Sequence, residues 1–134
     1  MITVKNRHQG KLIDDTVWLS KNQLEWLKKS VYHTFRIYII PFICIKPLKK
    51  YFKSNVGRPS KDLQSMIGLF ILQHLFDLSD EQTIESYSLN DAFRYALDIS
   101  RNEYISRRTY YMYRDKILGK GQPIFEDILR VVSK

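Results

Sequence analysis

Residues 106–117 read Ser-Arg-Arg-Thr-Tyr-Tyr-Met-Tyr-Arg-Asp-Lys-Ile and carry the most informative grouping of functional side chains in the sequence. Successive residues of a helix stand about 100° apart. That spacing puts Thr109, Tyr110, Tyr113 and Ile117 on one side, and Arg107, Arg108, Tyr111 and Arg114 on or beside the other. The first set suits a core. The second offers planar guanidinium forks and a phenol, which bond a guanine edge or clamp a phosphate. Helices that enter the major groove read bases mostly from their N-terminal part, and free backbone N–H groups at the helix start favour an anion. An ordinary surface helix with solvated arginines is the alternative. Two further basic sets stand upstream: Lys49, Lys50 and Lys53, then Arg58 and Lys61. Both suit phosphate contacts, which position a protein on a duplex without specifying sequence.

Other chemistry finds little support. There is no phosphate-binding glycine loop and no Gly-x-Ser-x-Gly motif. The single cysteine, Cys44, lies in an apolar run, where a thiol is expected to be inert packing. One thiol and three scattered histidines give no metal-ligand spacing. His33 and His74 fall within expected helices as packed or surface residues. Asp77, Asp80, Glu81, Glu85 and Asp91 read mainly as caps or first-turn helix acids rather than metal ligands. No catalytic residue, cofactor or metal is expected.

The elements that must position the 106–117 segment are helical. Leu19-Ser20-Lys21-Asn22-Gln23-Leu24 is a capping box with a hydrophobic staple. It opens a helix with Leu24, Leu27, Val31, Phe35 and Tyr38 on one stripe, which Pro41 ends. Trp26, His33, Ile37 and Ile40 lie on the other side, so this helix should be central or covered by another surface. A short helix is expected at 46–53 and a loop at 54–59. Ser60 is expected to cap a core helix running to about Leu78, apolar all round its axis. Ser79 and Gln82 form a second capping box, Asn90 caps the next helix, and Ser106 caps a helix over 107–118 closed by Gly119. Gly121-Gln122-Pro123 opens the last. The expectation is an all-α bundle of five or six short helices, over 19–134, after an irregular lead-in of residues 1–18.

Composition agrees. The 134 residues are 44% hydrophobic and 27% charged, enough for one domain with one core. No secretory leader is visible, and the apolar runs at 37–45 and 67–76 fall short of a membrane span. The net charge of +8 is segregated. Residues 1–60 hold 12 basic against 3 acidic groups, 61–99 hold 2 against 7, and 100–134 hold 8 against 4. Two basic ends flanking an acidic middle suit a nucleic-acid partner.

Five motifs in order then resemble a known family: 57–63 (Gly-Arg-Pro-Ser-Lys-Asp-Leu), 69–73 (Leu-Phe-Ile-Leu-Gln), 77–85 (Asp-Leu-Ser-Asp-Glu-Gln-Thr-Ile-Glu), 93–99 (Phe-Arg-Tyr-Ala-Leu-Asp-Ile) and 105–109 (Ile-Ser-Arg-Arg-Thr). Together they resemble the N-terminal domain of DDE-type insertion-sequence transposases, the InsH-like group, over roughly residues 16–130. Tyr110 departs from the pattern, standing where that family often has leucine. The resemblance implies helix-turn-helix-like recognition of double-stranded DNA at terminal inverted repeats, for DNA transposition and recombination in the bacterial cytoplasm, at the nucleoid. It also implies self-association during assembly of the transposition complex, while the helix around Trp26, apolar on two faces, motivates an alternative role in protein contacts that capture intact transposase. Strand cleavage and joining belong to a metal-dependent domain expected downstream, so the segment itself is expected not to be an enzyme.

Overall fold

The structure is a computed structural model and describes residues 19–52, 61–100 and 102–132. Among these it is all-α, with seven α-helices and no strand: α1 (Lys21–Lys29), α2 (Val31–Tyr38), α3 (Leu63–Leu75), α4 (Asp80–Leu89), α5 (Asp91–Ala96), α6 (Arg107–Arg114) and α7 (Gln122–Val132). Two 3-10 segments, Ile40–Phe42 and Lys46–Tyr51, lie between α2 and α3, and a π-helical turn, Asp115–Lys120, joins α6 to α7. The all-α expectation holds. The seventh helix arises because the single helix expected after Ser20 is two.

The break falls at Ser30. Its backbone is extended (φ −83°, ψ 164°), and its N–H and hydroxyl both donate to the Leu27 carbonyl, at 3.0 and 2.6 Å. A serine side chain that bonds nearby backbone competes with continued helix. The break leaves most of the two greasy faces uncovered, so the helix is not the central one expected. Only Phe35 of the two helices is buried, while Trp26 remains 78% exposed and Val31, Ile37 and Tyr38 are exposed too. A shallow cavity of about 340 Å³ lies beside Trp26, between Leu19 and Leu27 on one side and Asp91 and Ala92 on the other.

Helix α3 is the axis of the core. Leu63, Ser65, Met66, Ile67, Gly68, Leu69, Phe70, Ile71 and Leu72 are all buried. Each large apolar side chain so buried contributes about 1.5–3 kcal/mol. The helix starts later than expected, with Asp62 as its N-cap accepting from the Ser65 N–H at 3.1 Å, and Ser60, the expected cap, lies outside the described residues. It ends at Leu75, earlier than expected, where Asp77 turns the chain with φ 52°. Aspartate tolerates that left-handed region better than most residues.

Around α3 the expected caps recur. Ser20 with Gln23, and Ser79 with Gln82, both form complete capping boxes. Asn90 caps α5 through the Phe93 N–H. The 46–53 segment is 3-10 over Lys46–Tyr51, with Leu48 and Phe52 buried. Cys44 corrects the sequence expectation: it is exposed, because the extended chain at 43–45 sends Ile43 and Ile45 inward and the residue between them out. Among the described residues no helix is long and apolar enough to cross a membrane.

Candidate nucleic-acid interface

Helix α6 starts where expected. The Ser106 hydroxyl accepts from the Thr109 N–H at 3.1 Å, satisfying one of the free donors at the helix start. Its periodicity then sorts the side chains as the spacing requires. Tyr110, Tyr113 and Ile117 are buried, while Arg107, Arg108 and Tyr111 are exposed and Arg114 is half-buried. The inner face is pinned by Tyr110 against Phe70 (ring centroids 5.4 Å apart) and by Tyr113 against Phe52 (5.3 Å). The Tyr113 hydroxyl also donates to the Lys61 carbonyl at 3.3 Å. The helix does not run to residue 118. After Arg114 it widens into the π-helical turn, and the Gly121 N–H closes on the Lys116 carbonyl at 3.0 Å.

The outer face meets the first turn of α4. Arg107 donates from Nε to Glu81 Oε1 at 2.7 Å and from Nη2 to Glu81 Oε2 at 2.8 Å. The Tyr111 hydroxyl reaches Asp80 Oδ2 at 3.4 Å, and Arg114 Nε lies 3.5 Å from Asp80 Oδ1. Arg107, Tyr111 and Arg114 stand at helix positions i, i+4 and i+7, so one stripe of α6 runs along two neighbouring carboxylates. Arg108, one position off the stripe, is exposed and has no carboxylate partner among the described residues.

Asp80 is the hub. The Tyr110 hydroxyl, with one proton to give, lies 2.7 Å from both Asp80 Oδ1 and Gln73 Oε1, and the charged acceptor makes the stronger bond. Gln73 Nε2 donates to the same Asp80 oxygen at 3.0 Å. Partial burial works to raise the Asp80 pKa, but the bonds from Gln73, Tyr110 and Tyr111 and the charge of Arg114 outweigh it and hold the carboxyl below its ordinary value. The bond from Arg107 likewise lowers the Glu81 pKa, and Glu81 raises that of Arg107. Burial first, then the Asp80 carboxylate, pushes the Tyr110 phenol well up.

The remaining candidates do not gather on this face. The Lys61 ammonium donates to Glu103 Oε2 at 2.9 Å and to the Tyr104 carbonyl at 2.7 Å, and lies over the Tyr87 and Tyr104 rings. Its charge is spent on holding the chain just before α6. Lys49 and Lys50 belong to the 3-10 segment Lys46–Tyr51. Lys53 and Arg58 lie outside the described residues. Asp80 and Glu81, in turn, are site residues that their reading as first-turn helix acids did not reveal. That reading is correct for both, but their partners stand 26 to 34 residues later, and no local spacing announces them. Among the described residues no group of three His, Cys, Asp or Glu is arranged to hold a metal.

Residues 23–116 match the family model described as Transposase domain (DUF772). The chain belongs to this transposase-domain family. The match runs from α1 through α6 into the π-helical turn, so the whole α4–α6 seam of this transposase domain lies inside it. No curated protein and no solved structure matches the chain.

Proposed function

We propose that this transposase domain is a DNA-binding module that recognises the terminal inverted repeats of its element, with α6 lying helix-turn-helix fashion in the major groove. The observation that carries the reading is the two-sidedness of α6. Its inner face is anchored by Tyr110, Tyr113 and Ile117, and its outer face presents Arg107, Arg108, Tyr111 and Arg114 from a rigid base. A reading helix needs that combination, because base-edge contacts require side chains fixed to well under an ångström. Lys49, Lys50, Lys53, Arg58 and Lys61 supply background positive charge in this reading, and Lys61 acts through the chain ahead of α6. The segment contributes binding and leaves strand cleavage to a separate domain.

The test is direct. The Arg107→Ala and Arg108→Ala double variant is titrated against duplexes carrying the inverted repeats that bound the element. Loss of the guanidiniums should weaken specific binding by roughly 5- to 100-fold per base contact removed. Affinity for the same duplex should fall steeply with salt, because each neutralised phosphate releases counterions. Undiminished binding by the double variant would remove α6 from the interface. Light scattering with and without duplex gives the other arm. A dimer indifferent to DNA would replace this reading with the self-association role.

A further inference from the structure

The pairing of Arg107 with Glu81 divides the work of the α6 arginines. A guanidinium has five N–H bonds in a planar fork. Glu81 takes the Nε–H and one Nη2–H, side-on, at 2.7 and 2.8 Å. The end-on edge of the fork, one N–H from each of Nη1 and Nη2, meets no acceptor among the described residues. That edge matches the O6 and N7 acceptors that guanine presents in the major groove.

Phosphate is a poorer occupant. The two side chains are 71% and 60% exposed, so the pair faces the solvent from which a duplex would approach. A phosphate on the free edge would lie within one Debye length, about 8 Å at physiological ionic strength, of a full negative charge on Glu81. Guanine is neutral and meets far less of that repulsion. Arg108 stands next in sequence, exposed and with no carboxylate partner among the described residues. Among the described residues its charge is uncompensated, and it suits phosphate.

We propose that Glu81 is a specificity-determining residue of the DNA interface: it withholds Arg107 from phosphate and presents the free edge of that guanidinium to guanine, while Arg108 makes the phosphate contact. The assignment rests on the DNA-binding reading above. It makes Glu81 a positioning residue, acting from α4 on a reader that belongs to α6.

The experiment recovers bound duplexes from a random-sequence library with the full chain, wild type and the variants Glu81→Gln, Arg107→Ala and Arg108→Ala, then measures affinity for the recovered duplex across a salt series. Wild type should enrich a guanine at a defined position. Arg107→Ala should lose that guanine, roughly 5-fold or more in discrimination, with the salt slope unchanged. Arg108→Ala should keep the guanine and flatten the log–log slope by about 0.9, the contribution of one phosphate. Glu81→Gln should relax the guanine preference and steepen the slope by about 0.9 as Arg107 turns to phosphate. If Glu81→Gln binds every duplex more tightly and keeps the guanine, Glu81 is only a repulsive screen and the proposal is overturned. Flattening by Arg107→Ala equal to that of Arg108→Ala overturns it as well. A wild-type chain that recovers duplexes without sequence preference overturns this assignment and leaves DNA binding standing. One that recovers no duplex overturns the DNA-binding reading itself.

Discussion

Asp80 joins three helices through one carboxylate: Gln73 from α3, Tyr110, Tyr111 and Arg114 from α6, and its own place in the first turn of α4. Removing the Tyr110 hydroxyl takes a donor from a charged acceptor, and such bonds are worth more than neutral ones. Tyr110→Phe should therefore cost about 1–2 kcal/mol in urea unfolding with the helix content unchanged. The carboxylate also sets a pH dependence. Its folded pKa lies below the ordinary value of 3.8, so the stability it contributes is complete above that value. It is lost as the pH falls through the lower, folded value. Asp80→Asn should be less stable than wild type at neutral pH, and the gap should close in acid. A constant gap down the acid limb would show that the carboxylate's charge is not what matters. Periodicity alone sorted the α6 residues into inner and outer faces, because a helix fixes that by geometry. It could not reveal that Glu81 and Asp80 sit against the outer face, since that contact depends on how α4 and α6 pack.

The packing of α3 turns on a close approach at Gly68. A Cβ there would collide with Ile40 Cδ1 and stand 3.2 Å from Leu97 Cδ2 and 3.3 Å from Phe35 Cε1, all on residues with no exposed surface. Alanine gains about 1 kcal/mol over glycine in a helix interior, but overpacking a close-packed core costs about 1–3 kcal/mol. Gly68→Ala should lower stability, by about 1 kcal/mol net, when Ile40 is present. Ile40→Val removes the offending methyl, so the double variant should fall short of the summed losses, a coupling that a double-mutant cycle in denaturant measures. Simple additivity would mean that Ile40 is not what excludes the Cβ. Elements whose ends are set by local chemistry were legible in advance: the capping boxes at Ser20 and Ser79, the Asn90 and Ser106 caps, and the all-round apolar run of α3. Two misread ends, the Ser30 break and the Asp62 cap of α3, also rest on local bonds, which stood beside competing local signals. The helix break at Ser30 lets Phe35 reach the core while Trp26 stays out, and the π-helical turn after Arg114 carries Ile117 inward against a segment distant in sequence.

Across the whole molecule, the segregation of charge seen in the sequence has a structural use besides any duplex. Residues of the acidic middle pair with residues of both basic ends: Asp98 with Arg36, Glu81 with Arg107, and Asp80 with Arg114. The Arg36 pair is the most enclosed, with 16% and 12% of the two side chains exposed. Arg36 Nη2 lies 2.8 Å from Asp98 Oδ1 as an ion pair, its Nη1 donates to the Tyr95 carbonyl at 2.9 Å, and its guanidinium lies 4.5 Å from the Tyr95 ring centroid. The fork thus bolts α2 to the end of α5, where Asp98 holds a left-handed φ of 56°. Breaking an enclosed pair from one side costs more than the pair is worth, because the remaining carboxylate loses a charged neighbour in a low-dielectric setting. Arg36→Met should destabilise by about 2–3 kcal/mol, since the site is enclosed without being fully buried. Asparagine at Asp98 tolerates the same backbone conformation and carries no charge. Arg36→Met with Asp98→Asn should therefore recover about 1 kcal/mol or more of that loss. If the double variant is no better than Arg36→Met alone, the stabilisation resides in the Tyr95 contacts. The Asp98 carboxylate would then contribute nothing to fastening α2.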